Sequence, residues 1–374
     1  LFKKNQLMKI PYVNLDKQYL QEKNQLKKIF DNVLSSGEYV GGKFVNEFEK
    51  NISKYCNTKY CVSLNSGTDA LTLALHILGV RKGDEVITTP NSFIASTAVI
   101  VHLGAKPVFV DVLDDQNMNT DLIEKKITNK TKVIMPVHLT GRMCQMDKIM
   151  KIAKKYNLKV VEDAAQSIGS SYKGKKAGSY GDIGCFSAHP LKNLNAIGDS
   201  GYITTNSRKI YLILQDLKNH GMTNRNIVKN FGYVSRMDNL QAAILNFRLK
   251  NLDNLISTRK KNLKLYKKYI LTKKINILED KIYEKNSYHT FVIQTPDRDR
   301  LKMYLKKNGI NTSIHYPIPI HLQPASKKLG YKKGDYPVTE RQAKRILTLP
   351  INQFLKVKEI KFISNKINQF FDHE

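Results

Sequence analysis

Between residues 59 and 205, short β-branched runs alternate with segments whose apolar positions recur at helical spacing. The runs YCVSL (60–64), EVITT (85–89), KPVFVDV (106–112), KVIMPV (132–137), LKVVED (158–163), GCFSA (184–188) and GYITT (201–205) have the length and content of buried strands. Between them, DALTLALHIL (69–78), FIASTAVIVHL (93–103), DLIEKKI (121–127) and CQMDKIMKIAKKY (144–156) read as helices. This alternation predicts an α/β domain on a mainly parallel seven-stranded sheet. After Met237 one long helical pattern, 238–270, leads out of it. YHTFVIQT (288–295), RDRLKMYLKKNG (298–309) and KEIKFISNKINQFF (358–371) then predict a smaller α+β domain. The division expected is 8–250 for the large domain with its N-terminal arm and 251–374 for the small one. No internal repeat or low-complexity linker interrupts this pattern.

Composition adds constraints. Apolar residues make up 41% of the 374, ample for a core, and no run approaches the roughly eighteen apolar residues of a membrane span. No signal-peptide pattern appears at the start, and Met8 is a candidate native start with residues 1–7 upstream of it. Four scattered cysteines, Cys56, Cys61, Cys144 and Cys185, build neither a disulfide framework nor a zinc cluster, so a reducing cytoplasm and no metal centre are expected. Lys and Arg outnumber Asp and Glu by 62 to 32, a net charge of +30. The excess lies in short KK pairs spread along the chain without a nucleic-acid-binding motif. It reads as solvated surface that can steer an anionic, diphosphate-bearing substrate.

Ligands of such sheets bind beyond the carboxyl ends of the strands, so the loops there are the candidate chemical sites. Ser66-Gly67-Thr68 opens a helix after the first strand, where free N–H groups of Thr68, Asp69 and Ala70 would meet an anion. The same residues also fit an ordinary helix cap. Phe93, after the second strand, is placed either to lie flat on a planar ring or to pack in the core. Asp163 ends a hydrophobic strand beside Glu162 and ahead of Gln166, as a partner for a protonated pyridine nitrogen, a helix cap or a metal ligand. Lys192 follows a strand ending at Ser187, in FSAHPLKNLNAIGDSG. An amine close to a phosphate loop, an aromatic ring and a strand-end carboxylate has the makings of a Schiff-base lysine. Each signal is weak alone, and the ordered set of four is strong.

The chain resembles the DegT/DnrJ/EryC1/StrS family of sugar aminotransferases, which are fold-type I pyridoxal 5'-phosphate enzymes. The resemblance runs from Pro11 over nearly the whole chain, through IPYVNLDKQY, SGEYVGGKFVNEFE, SGTDAL, GDEVITTPNSFIAS, VVEDAAQSIGS, FSAHPLKNLNAIGDSG, GYVSRMDNLQAAIL, IHYPIPIHLQPA and LTLPI. It implies that Lys192 is the Schiff-base lysine and Asp163 the partner of the pyridine nitrogen. It puts Gly67, Thr68, Asp69 and Ser187 at the phosphate, Phe93 on the ring face and Gln166 near the phenolic oxygen. Tyr39, His315 and Tyr316 fall where the family approaches its sugar nucleotide. The implied reaction moves an amino group from L-glutamate to a nucleotide-linked keto-deoxy sugar, with C3 slightly favoured over C4, in amino-sugar and surface-glycan (O-antigen) biosynthesis. The implied assembly is a homodimer, with no nucleic-acid or membrane partner.

Two positions depart from the family pattern. Ala188 replaces an aromatic, and Val234 stands where an asparagine often reaches the neighbouring subunit's phosphate, leaving Ser235 or Arg236 for that contact. A dehydratase of the family would carry histidine at the lysine position, and a regulatory homologue would be expected to lose Lys192 or Asp163. This chain keeps both. A keto-cyclitol acceptor fits the same motifs.

Overall fold

The structure, a computed structural model, describes residues 8–372. The expectations for residues 1–7 lie outside the described residues. Seven strands form the main sheet: β1 (Tyr60–Leu64), β2 (Glu85–Thr88), β3 (Lys106–Phe109), β4 (Thr131–Ile134), β5 (Lys159–Asp163), β6 (Ile183–Ser187) and β7 (Gly201–Thr205), in the order β1-β7-β6-β5-β4-β2-β3. Strands β3, β2, β4, β5 and β6 pair in parallel. β7 runs antiparallel to both β6 and β1. The reason lies in residues 188–200, which contain no helix to make the crossover a parallel partner would need.

Successive side chains of each strand enter opposite cores, as the two-residue period requires. Val62, Val86, Val133 and Val161 pack with the helices α3 (Gly67–Ile77) and α4 (Ala95–His102) on one face. Cys61, Ile87, Ile134 and Val160 face a second cluster with α2 (Lys43–Cys56), α5 (Met146–Lys155) and α7 (Asn239–Leu249). A long first helix, α1 (Leu15–Ser36), lies against α7. Helix α6 (Arg208–Leu217) follows β7 and adds Leu214 to the first core.

Two expectations are corrected in detail. The DLIEKKI segment forms two short 3₁₀ turns, Thr120–Leu122 and Glu124–Lys126, with Ile123 fully buried and Leu122 and Ile127 partly buried against the core. The 238–270 stretch is two helices, α7 and α8 (Leu252–Tyr269), broken at Lys250-Asn251.

Helix α8 carries the chain into another core. There β8 (Asn276–Ile277), β9 (Phe291–Gln294) and β10 (Ile346–Leu349) form an antiparallel sheet. It is covered by α9 (Arg298–Lys307) and α11 (Val357–Asp372), while α10 (Pro337–Arg345) leads into β10. Ile10, from the N-terminal arm, is fully buried in this core and forms a parallel bridge with Ile310. Among the described residues no helix is long and apolar enough to cross a membrane.

Candidate active site

The loops leaving the carboxyl ends of β1, β2, β5 and β6 meet around one cavity of about 410 Å³. Gly67, Thr68, Phe93, Asp163, Gln166, Ser187, Lys192, His315 and Tyr316 all line it. Asp69 and Tyr39 do not. The Asp69 carboxylate is turned to Ser235, whose Oγ donates to Oδ2 at 2.7 Å. Tyr39 lies on the surface, with its main-chain oxygen accepting from the Asn239 N–H.

The start of α3 is both a cap and an open donor site. Ser66 Oγ accepts from Asp69 N at 3.0 Å, and Ser66 O accepts from Ala70 N at 3.1 Å. Two of the three N–H groups expected to meet an anion therefore serve the helix itself. The N–H groups of Gly67 and Thr68 have no acceptor among the described residues, and they point out of the positive end of the helix. Ser187 is pressed against this turn. A Cβ on Gly67 would lie 2.6 Å from Ser187 Cβ, and one on Gly201 would lie 2.3 Å from the Ser66 carbonyl. Only glycine lets the three chain segments close around one small volume.

Asp163 ends β5, and the side-chain alternation of the strand sends it and Glu162 to opposite sides. Glu162 is consumed by the scaffold: it accepts from the N–H groups of Gly178, Tyr180 and Gly181 and from His138 Nε2 at 3.0 Å. His138 Nδ1 accepts from Cys144 N, which leaves the ring proton on Nε2 to donate to Glu162. Asp163, 4% exposed, faces the cavity. Ser96 Oγ donates to its Oδ2 at 2.7 Å and Ala165 N to its Oδ1 at 3.2 Å. Ser92 Oγ lies 2.7 Å behind Ser96 Oγ.

Lys192 sits in the helix-free β6–β7 connection, its N–H donating to His189 O in a turn. The pocket opens on part of its side chain, while protein surrounds the rest. Desolvation draws its pKa down to about 8, partly opposed by the charge of Asp163. Roughly a tenth of the amine is therefore deprotonated at pH 7 and half at about pH 8, far more than for an ordinary lysine, which suits a nucleophile. Phe93, over half exposed, forms an aromatic wall whose ring is 6.2 Å from that of Tyr316 and tilted 44° to it. Gln166 accepts from Thr140 N at 2.8 Å and donates to the Tyr316 hydroxyl at 3.4 Å. Burial holds the Tyr316 hydroxyl protonated, with its pKa pushed up to about 12. Burial, with the nearby Lys192 charge, lowers His315 to about 4, and its Nδ1 shares a hydrogen bond with Thr348 Oγ1 at 3.0 Å.

Sequence reasoning missed Ser92, Ser96, Tyr12, Arg259, His289 and Asn352, all of which line the cavity. One signal was available for Arg259. It lies on the buried stripe of α8 with Leu252, Asn262, Leu263 and Tyr266, where a charge is out of place. Ser96 carries no such mark.

An N–H cradle beside a serine, an exposed aromatic wall, a buried carboxylate and a low-pKa amine around one cavity fit the phosphate, ring face, pyridine nitrogen and aldehyde of pyridoxal phosphate. The fold and this pocket define a pyridoxal phosphate-dependent aminotransferase. The chain belongs to the DegT/DnrJ/EryC1/StrS aminotransferase family, whose sequence pattern matches residues 20–368. It is 38% identical over 371 residues to a pleiotropic regulatory protein of Geobacillus stearothermophilus, covering 98% of this chain and all of that one. It is also 38% identical over 367 residues to the dTDP-3-amino-3,6-dideoxy-alpha-D-galactopyranose transaminase of Aneurinibacillus thermoaerophilus, covering 96% and 99% of the two chains. Among solved structures, DesV of S. venezuelae in complex with a ketimine intermediate superposes with a TM-score of 0.94 at 33% identity, over 97% of this chain and 98% of that one.

Proposed function

We propose that this chain moves an amino group from L-glutamate to a nucleotide-linked keto-deoxy sugar, at C3 in preference to C4, within surface-glycan biosynthesis. The observation that carries the reading is that Lys192 and Asp163 face one cavity together with the open start of α3. When bound, pyridoxal phosphate supplies an aldehyde for amines and a ring that accepts electrons. Lys192 Nζ, with its lowered pKa, would hold that aldehyde and, when free, would carry a proton at the reacting carbon. Asp163, oriented by Ser96 and Ala165, holds the proton on the ring nitrogen. The N–H groups of Gly67 and Thr68 and the Ser187 hydroxyl hold the phosphate. Phe93 would cover the ring face and Gln166 would meet the phenolic oxygen. His315 and Tyr316 line the same cavity and are proposed to meet the acceptor.

The preference for C3 is supported by the 3-amino sugar in the name of the Aneurinibacillus relative. We divide the chain into domains 8–250 and 251–374. It is proposed to act as a homodimer. Supporting this, Ile227, Val228 and Val234 are each more than half exposed beside Phe231, which is 97% exposed. Ser235 is buried and committed to Asp69, so we assign the contact with a second copy's phosphate to the exposed Arg236. Four buried thiols are in keeping with the reducing cytoplasm. The test is incubation of the cofactor-loaded protein with L-glutamate and a panel of nucleotide-linked 3-keto and 4-keto sugars, with mass detection of the amine. Amination of 4-keto sugars alone would overturn the C3 assignment. Amination of none would overturn the acceptor class.

A further inference from the structure

The part of the cavity lined by Tyr12, Arg259, His289, His315 and Asn352 is rich in donors and contains no carboxylate. Arg259 is 6% exposed and makes no ion pair among the described residues. Its Nη1 donates to the main-chain oxygens of Tyr288 and His289 at 3.1 and 3.0 Å, and its Nη2 to Gln353 Oε1 at 3.3 Å. The buried Nε has no acceptor among the described residues. His289 Nδ1, close by, is likewise buried without a partner among the described residues. Burial lowers the guanidinium to about 10, so it keeps its charge at neutral pH. Burial, followed by the charges of Lys192 and Arg259, holds the His289 ring far below its ordinary range and therefore neutral.

A buried cation with only neutral acceptors around it is incompletely compensated, and an anion completes it. The planar guanidinium with a free N–H matches a carboxylate better than a diphosphate would be matched here. No second guanidinium lies in this wall, and the cavity must also hold the cofactor. An anion on this wall would share the cavity with Lys192, which lines it together with Arg259, His289 and His315. A ligand group so placed belongs to the molecule that exchanges its amine there.

We propose that Arg259, with the Tyr12 hydroxyl and the His289 ring beside it, forms the subsite for the α-carboxylate of the amino-acid donor. This assignment rests on the proposed aminotransferase reaction with an amino-acid donor, but not on the identity of the sugar. The guanidinium fixes the donor so that its amine, one carbon away, meets the position of Lys192 Nζ.

Two measurements test it on the cofactor-loaded protein. The first is calorimetric binding of glutarate, which has the carbon chain and both carboxylates of glutamate but no amine to react. The second is steady-state kinetics with L-glutamate and with 4-aminobutyrate, a donor that lacks the α-carboxylate. Arg259→Gln is expected to weaken glutarate by at least about tenfold, the effect of losing one buried charged hydrogen bond. It should raise the KM for glutamate, leave that for the keto sugar unchanged and collapse the preference for glutamate over 4-aminobutyrate. Arg259→Lys should fall between, since it keeps charge but loses the fork, and it carries the test if the glutamine variant does not fold. Wild-type glutarate binding in both variants, or an equal rise of both KM values, overturns the subsite. If glutarate binding depends on Arg259 and no nucleotide sugar is aminated, the acceptor reading fails while the subsite stands.

Discussion

Ser96 Oγ stands 2.7 Å from Asp163 Oδ2, and it is the only side-chain hydroxyl that donates to this carboxylate among the described residues. A hydrogen bond to a charged group is worth roughly 1.5–3 kcal/mol, so its loss is felt where orientation matters. Ser96→Ala should lower kcat by about tenfold or more and leave the thermal midpoint little changed, while Ser96→Thr, which keeps the hydroxyl, should recover part of the rate. Asp163→Asn should lose most of the activity because an amide cannot hold the ring nitrogen protonated. Near wild-type turnover in the asparagine variant would show that Asp163 has another task.

Lys192→Ala should abolish the borohydride-reducible attachment of the cofactor while noncovalent affinity persists through Gly67, Thr68 and Ser187. The loss in turnover should be at least the hundred- to ten-thousand-fold, roughly, that general acid–base catalysis supplies. Lys192→Arg should not rescue it, since the guanidinium stays protonated. His189→Ala should keep the attachment. Peptide mapping after reduction places the label, and a label on any other lysine would overturn the assignment.

The depressed pKa of Lys192 has two consequences with pH. Capture of added cofactor by the apoprotein should accelerate as pH rises through about 8 and then level off, because the free amine is the reactive form. Stability moves the same way. Between about 8 and the ordinary 10.5 the unfolded chain holds a proton that the folded chain has lost, so folding gains as pH rises across this window. Lys192→Met should therefore raise the melting temperature of the apoprotein most below pH 8, with the gap closing towards pH 10.5. A gap that widens with pH would contradict the desolvated amine.

Sedimentation should show a dimer, and an active monomer would sink the proposed assembly. Within it, Arg236→Ala should weaken cofactor retention, whereas Ser235→Ala should loosen Asp69 and lower thermal stability. Equal effects of the two variants on retention would deny Arg236 its role across the interface.

The strand order of chemistry was readable in the sequence because it is local: a helix-opening SGT, a strand-ending Asp163 and a lysine after Ser187 are all short signals. Their convergence follows from strands that run parallel, so that successive carboxyl ends share an edge. The engagement of the Asp69 carboxylate by Ser235 is not legible in the sequence, because the two lie 166 positions apart and no local pattern links them. Arg259 was hidden for a related reason. In a chain with 62 basic residues one more arginine on a helix carries no information until the buried stripe of α8 is traced.

The seat of Ile10 bears on how this molecule is made. Ile10 N donates to Gly309 O at 2.9 Å and Asn311 N to Ile10 O at 3.0 Å, so the arm docks on a segment translated some three hundred residues later. Tyr12 and Val13, just beyond it, line the cavity. During synthesis, which proceeds at roughly 5–20 residues per second, the main sheet can close while this arm still waits for its partner. A ribosome-bound chain stalled before Gly309 should hold a folded sheet and an unfinished ligand site, so cofactor capture is a late event in the life of the nascent protein.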